Sequence, residues 1–117
     1  MGSELEDSPF QELLLWLIRR RQRVRVTGAS MLPGLKPGQE VLVDLRAYQG
    51  TDPQPGDIVV ARHPFQVDVR LIKRVKARLE DGRYRLEGDN PLESTDSRTF
   101  GPIAREAILG RVTSRFA

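Results

Sequence analysis

The sequence predicts a small all-β domain, a coiled and partly closed barrel or sandwich, preceded by one short helix. Two observations carry most of this. Short apolar segments with β-type patterning recur along the chain, and glycine and proline turn signals separate them. A third is that helical spacing of apolar residues occurs only near the start.

Residues 1–7 are short, polar and acidic, with nothing to bury, and are expected to be disordered. Ser8 and Pro9 then read as an N-cap followed by proline at the first helical position, and Gln11 completes a capping-box spacing. A helix is expected over residues 9–20, with Phe10, Leu13, Leu14 and Leu17 on one face and Leu15, Trp16 and Ile18 widening it. Its unbroken apolar stretch, residues 13–18, is far below the roughly 20 residues a membrane span needs. A secretory signal has its positive charges before the apolar region, whereas here they follow it. The expectation is therefore no transmembrane or secretory segment. The helix can pack on its own domain, dimerise, or lie in a membrane interface as a peripheral contact with its arginines at the headgroups, packing being the commonest outcome.

Val24 and Val26 alternate with Arg23 and Arg25, which starts the β region. Strands are then expected over residues 40–45, 57–62, 67–79, 83–87 and 107–112, separated by Pro33-Gly34, Pro37-Gly38, residues 53–56, Asp81-Gly82, Asn90-Pro91 and Gly101-Pro102. This divides the chain into an N-terminal tail with its helix, residues 1–23, and one domain, residues 24–117.

A chain of 117 residues suits one domain with one core. It has no cysteine, hence no disulfide, thiol nucleophile or thiolate metal site. One histidine, His63, makes a dedicated metal cluster a poor expectation, and no cofactor is expected. Lack of cysteine and of a membrane span fits a cytoplasmic protein. The net charge of +3 is local: Arg19, Arg20, Arg21, Arg23 and Arg25 crowd together, and the remainder carries 14 basic against 16 acidic residues, a balance of −2. This is the pattern of a solvated charge run at a helix end, so no nucleic-acid partner is expected.

Three segments carry chemistry. In residues 67–79 the odd positions read Val67, Val69, Leu71, Lys73, Val75, Ala77 and Leu79, and Lys73 is the one charge on that apolar face. A buried ammonium tends to become a neutral amine, which is a base. Alternatively the strand ends early or bends and Lys73 snorkels to water; the strand alone leaves both open. The second segment, residues 28–33 (Gly28-Ala29-Ser30-Met31-Leu32-Pro33), can present a serine hydroxyl at a strand end, although serine in such a turn is usually only a turn residue. The third runs from Gly88 to Arg98, where Asp96 and Arg98 are spaced to pin a loop that is long for a mere connection.

Together these segments resemble the serine–lysine peptidases of the signal peptidase I family: Ser-x-x-Pro with methionine after the serine, Leu71-Ile72-Lys73-Arg74-Val75, then Gly-Asp-Asn followed by Ser94, Asp96, Ser97 and Arg98, in that family's order. Residues 55–60 and 100–103 add supporting matches, and the resemblance covers residues 24–112. It implies a catalytic-core fold of that type. It also implies Ser30 as nucleophile, Lys73 as general base, Ser94 orienting the lysine amine, and Asp96 with Arg98 holding the loop. The Ser30 N–H would form part of the oxyanion hole. Many members carry a serine two positions before the nucleophile; here Gly28 stands there, leaving an all-backbone oxyanion hole or a contribution from Thr27. Met31, usually a packing residue, would line the substrate region in the family's pattern.

The compact length narrows the resemblance to the nickel-type superoxide dismutase maturation proteases. That implies a protein precursor as partner, the dismutase pro-form, trimmed at its N-terminus. The alternatives are a self-cleaving repressor-type peptidase domain, for which too few residues precede the β region to form a DNA-binding module, and a non-catalytic peptide-binding module of the same fold. A triad through His63 has no support in spacing, and His63 reads as a loop residue. Oligomeric state is not legible.

Overall fold

The computed structural model describes Leu5 and residues 9–17, 20–66, 68–93 and 95–116. Helix α1 (Phe10–Leu17) is followed by β1 (Gln22–Arg25), β2 (Glu40–Asp44), β3 (Ile58–Arg62), β4 (Arg70–Arg78), β5 (Tyr84–Glu87), the short α2 (Ser97–Phe100) and β6 (Ile108–Arg115). The strands form one antiparallel sheet in the order β1-β2-β6-β3-β4-β5. The sheet is coiled but not closed, with β1 and β5 as its edges; the all-β class with one short N-terminal helix is as the sequence predicts.

Strand β3 explains the coiling. Its run Ile58-Val59-Val60-Ala61 is buried throughout, because side chains alternate between two cores. Ile58 and Val60 join Val26, Met31, Leu35, Val41, Val43 and Val112. Val59 and Ala61 join Val75, Tyr84, Leu86, Ile103 and Ile108 on the other face. Strand β6 crosses this centre at Gly110, where an added Cβ would lie 2.7 Å from the Asp44 carbonyl oxygen and 2.9 Å from Val43 Cγ1. Only glycine lets β2 and β6 approach so closely.

Several boundaries shift. The long strand begins at Arg70 rather than Val67, which lies outside the described residues. A turn bond from Val69 N–H to the Gln66 carbonyl (3.0 Å) precedes it, and Val69 is exposed rather than core-facing. Ile72, on the supposedly outward face, packs on the first core, because the coiled sheet is covered on both sides there. β6 runs to Arg115, past the expected end at 112. The loop from Gly88 to Arg98 contains a 3₁₀ turn at Pro91–Glu93 and the start of α2, capped by the Asp96 side chain.

The N-terminal elements need correcting too. Ser8 lies outside the described residues, but α1 begins as expected, with Leu13 N–H bonded to the Pro9 carbonyl at 3.1 Å. The helix packs on its own domain through a polar and aromatic edge. Thr113 Oγ1 donates to Glu12, Arg21 pairs with Glu12 at 3.2 Å, and the Trp16 and Phe116 rings meet edge to face at 4.9 Å. Its expected apolar face is instead turned outward at Phe10, Leu14 and Leu17. Leu5, in a segment expected to bury nothing, packs against the first core. The arginine run is not simply solvated, since Arg21 also reaches Asp44 and Arg23 and Arg25 reach Glu40.

Candidate functional site

Ser30 sits in the turn that leaves β1. Gly28 takes φ 77°, in the left-handed region where a side chain would strain the backbone, and this bends the chain beyond Thr27. The next residue after Ser30, Met31, is 1% exposed and locked in the first core, so the serine turn is anchored from within. It is clasped from outside by Asn90, whose N–H donates to the Ser30 carbonyl at 2.7 Å and whose Nδ2 donates to the Ala29 carbonyl at 3.1 Å. Asn90 was legible only as part of a motif; its partners lie about sixty residues away and have no local signature.

Lys73 lies in the middle of β4, opposite Val59 of β3, and is 4% exposed. The strand neither ends early nor bends to release it to water. Burial lowers the lysine pKa; the Asp96 carboxylate opposes that shift and the Arg98 guanidinium reinforces it. The dry surround is uneven: Val75 is buried, Leu71 half-buried and Val69 open to solvent.

Asp96 is the organising acid of this region. Its side chain is fully buried, accepting from Gly88 N–H at 2.8 Å, from Arg98 N–H at 3.0 Å, and from the Arg98 guanidinium at 3.0 and 2.6 Å. The expected Asp96–Arg98 pair is therefore present, and the same carboxylate caps α2, ties it to the end of β5 and faces Lys73 electrostatically. Ser97 Oγ accepts from Leu86 N–H at 2.9 Å and completes the seam. Ser94 lies outside the described residues.

A second clamp was not foreseen. Arg74 points opposite to Lys73 and grips Asp89 with two parallel bonds of 2.9 and 2.8 Å, while its Nη1 donates to the Gly56 carbonyl at 2.9 Å. Lys73-Arg74 and Asp89-Asn90 thus interlock: the arginine fixes the loop whose asparagine holds the serine turn. Strand alternation could have placed Arg74 on the far face, but not named its partner.

Ser30 and Lys73 line one cleft of about 200 Å³, with Thr27, Met31, Val60 and Val69 among its walls. Met31 is packed in the first core and also lines the cleft. β4 pairs with β5 only from Arg74 onward, so the outer edge of Arg70, Leu71 and Ile72 faces the cleft without a neighbouring strand among the described residues. His63 stands apart as a turn residue. Its Nδ1 accepts from the Phe65 and Gln66 N–H groups at 3.0 and 3.1 Å, and its ring packs 4.9 Å from that of Phe100. No group of three or more histidine, cysteine or carboxylate residues is arranged to hold a metal among the described residues.

The Peptidase S24-like family model matches residues 16–113, which includes both sides of this cleft. The chain belongs to that family. Mitochondrial inner membrane protease subunit 2 of Danio rerio is 33% identical over 110 residues, covering 76% of this chain and 60% of the relative. Subunit 1 of Homo sapiens is 32% identical over 108 residues, covering 76% and 65%. Signal peptidase I of Aquifex aeolicus is 37% identical over 57 residues, covering 49% and 22%. The chain thus spans less than two thirds of these proteins' lengths. The family is that of signal-peptidase-like proteases, in agreement with the broader resemblance read from the motifs. Among the described residues no helix is long and apolar enough to cross a membrane.

Proposed function

We propose that this protein is a serine endopeptidase with a Ser30–Lys73 dyad that removes an N-terminal pro-sequence from a precursor protein. The observation that carries the reading is a buried lysine lining the same cleft as a serine in a doubly clasped turn. The protease names of the relatives support the reaction class.

A serine hydroxyl needs a base, and an ordinary lysine is protonated at neutral pH. Burial favours the neutral amine, so Lys73 Nζ accepts the Ser30 Oγ proton as Oγ attacks the scissile carbonyl carbon. The resulting oxyanion is met by the Ser30 N–H and by a second donor from the Gly28 turn or Thr27. The lysine then protonates the leaving amine, and the C–N bond breaks to leave an acyl ester on Ser30. Water, deprotonated by the same amine, hydrolyses that ester. On the motif resemblance Ser94 would orient the amine, and Asp96 with Arg98 fixes the start of α2 against the end of β5. An extended substrate is supported by the open edge at residues 70–72, where main-chain hydrogen bonding would align the scissile bond.

The substrate we propose is the pro-form of a nickel-type superoxide dismutase, on the narrower sequence resemblance. Incubating purified protein with that pro-form and weighing the products tests this: the pro-sequence is released by wild type and retained with Ser30→Ala. An intact pro-form after long incubation with folded enzyme would reject this substrate, and cleavage of another precursor would retain the reaction while changing its target.

A further inference from the structure

The Ser30 cleft is basic. Among the described residues three cations line it, Arg25, Arg70 and Lys73, and no carboxylate does. Two of the three already face an acid: Arg25 reaches Glu40 at 3.4 Å, and Lys73 feels the Asp96 carboxylate. Arg70 meets no carboxylate among the described residues. Its direct partner in the β3–β4 register is another arginine, Arg62, which meets none either. Both arginines are exposed.

Like charges directly opposite one another on a sheet face repel. Other arginines of β4 and β5 avoid this by sitting beside an acid: Arg74 on Asp89, Arg78 near Asp52 and Arg85 near Glu87. The Arg62–Arg70 pair continues the face of Val60 and Ile72, which pack on the first core, and carries that face out to solvent. On the adjoining edge, residues 70–72 lack a strand partner among the described residues. An extended peptide laid there sets one side chain directly beside Arg70, on the face of the two guanidinium groups. Arg70 is three residues from Lys73, about 10 Å along the strand. The side chain beside it therefore belongs to the third or fourth residue from the bond that the dyad cuts.

We propose that Arg70, with Arg62 beside it, determines specificity by selecting an acidic side chain in the substrate, three or four residues from the cleaved bond on the side that runs along residues 70–72. For the place of the cleaved bond this rests on the Ser30–Lys73 reading, and it names the substrate class as a segment with glutamate or aspartate at that distance. One carboxylate can accept from both guanidinium groups, so binding also relieves the repulsion between them.

The probes are fluorescent alanine–serine decapeptides in which a single glutamate, glutamine or lysine is walked through the positions. Binding is read by anisotropy on Ser30→Ala, which does not turn over, and the cut position by mass on wild type. On Ser30→Ala the glutamate peptides should bind about fivefold tighter than the glutamine peptides, the scale of an exposed charge contact, and the lysine peptides most weakly. Adding Arg70→Gln should remove most of that difference. Adding Arg62→Glu/Arg70→Glu should reverse the order so that lysine binds best, a result that misfolding does not produce. Arg46→Gln, which removes one charge from a different cavity, should keep the glutamate preference. On wild type the cut bond should move with the glutamate as it is walked, staying three or four residues from it. Equal binding of glutamate and glutamine peptides would overturn the proposal, as would a glutamate preference that survives Arg62→Glu/Arg70→Glu or a cut position that ignores the glutamate. Charge-selective binding without any cleavage by wild type would keep the acidic-residue site and reject the dyad. Ser30-dependent cleavage with no charge preference would keep the dyad and reject the site.

Discussion

Lys73 was conspicuous in the sequence because a charge interrupts an apolar face, and that is the kind of signal alternation preserves. Its burial makes a testable demand. The unfolded lysine titrates near 10.4, and the folded one lower because burial disfavours the ammonium. Between the two values the unfolded state binds more protons, so stability rises with pH across that interval. Lys73→Met, which fills similar volume without the amine, should lack this rise and be the more stable protein at neutral pH, as urea unfolding at a series of pH values would measure. A parallel stability–pH slope in both proteins would show the amine to be solvated. Asp96 demands a different outcome from Ser30. Asp96→Ala strips the cap of α2 and leaves the Gly88 N–H without the carboxylate, and should cost about 3 kcal/mol of unfolding free energy together with part of the activity. Ser30→Ala should abolish activity and leave the melting temperature nearly unchanged, since its side chain is not a core member. Equal melting of the two variants, with full activity in Asp96→Ala, would contradict this division.

At the level of elements, what was legible is what local pattern encodes. β2, β3 and β5 fall within a residue or so of their expected ends because apolar segments and turn residues mark them. The misplaced features are those that depend on distant partners. The face of α1 looked like a core face by spacing, yet the contacts of Glu12 with Thr113 of β6 and of Trp16 with Phe116 just beyond it decide its docking, so Phe10, Leu14 and Leu17 turn outward. Leu5 was invisible within a polar tail because a single apolar residue has no period; its place depends on the groove beside Met31, Leu35 and Arg115. Removing residues 1–7 should therefore lower stability by about 1 kcal/mol, the contribution of a partly buried leucine, and Leu5→Ala should reproduce most of that loss in chemical denaturation. No loss in either would mean that Leu5 does not hold the groove. Removing residues 9–20 as well should cost more, because it takes away the Glu12 partner of Arg21 and the Trp16 cover of Phe116.

Across the whole molecule, the coiled sheet does what no segment does alone: it brings the exit of the first strand to the beginning of the fourth. The all-β class and the three chemical segments were legible because each is written locally. The two clamps that join them, Arg74 with Asp89 and Asn90 with the Ser30 turn, were not, because both are made by the fold. The account rests on Ser30 being activated by a neutral Lys73, and the most direct measurement is the rate at which a serine-directed acylating probe modifies Ser30, followed by intact mass as a function of pH. Wild type should label at Ser30 only, with a rate that climbs as pH passes through the lowered pKa of Lys73. Lys73→Met should be unreactive at every pH, and Lys73→Arg equally so, since a guanidinium keeps its proton although the charge is retained. Labelling of Lys73→Arg at the wild-type rate, or the same pH profile in Lys73→Met, would contradict the account and place the base elsewhere.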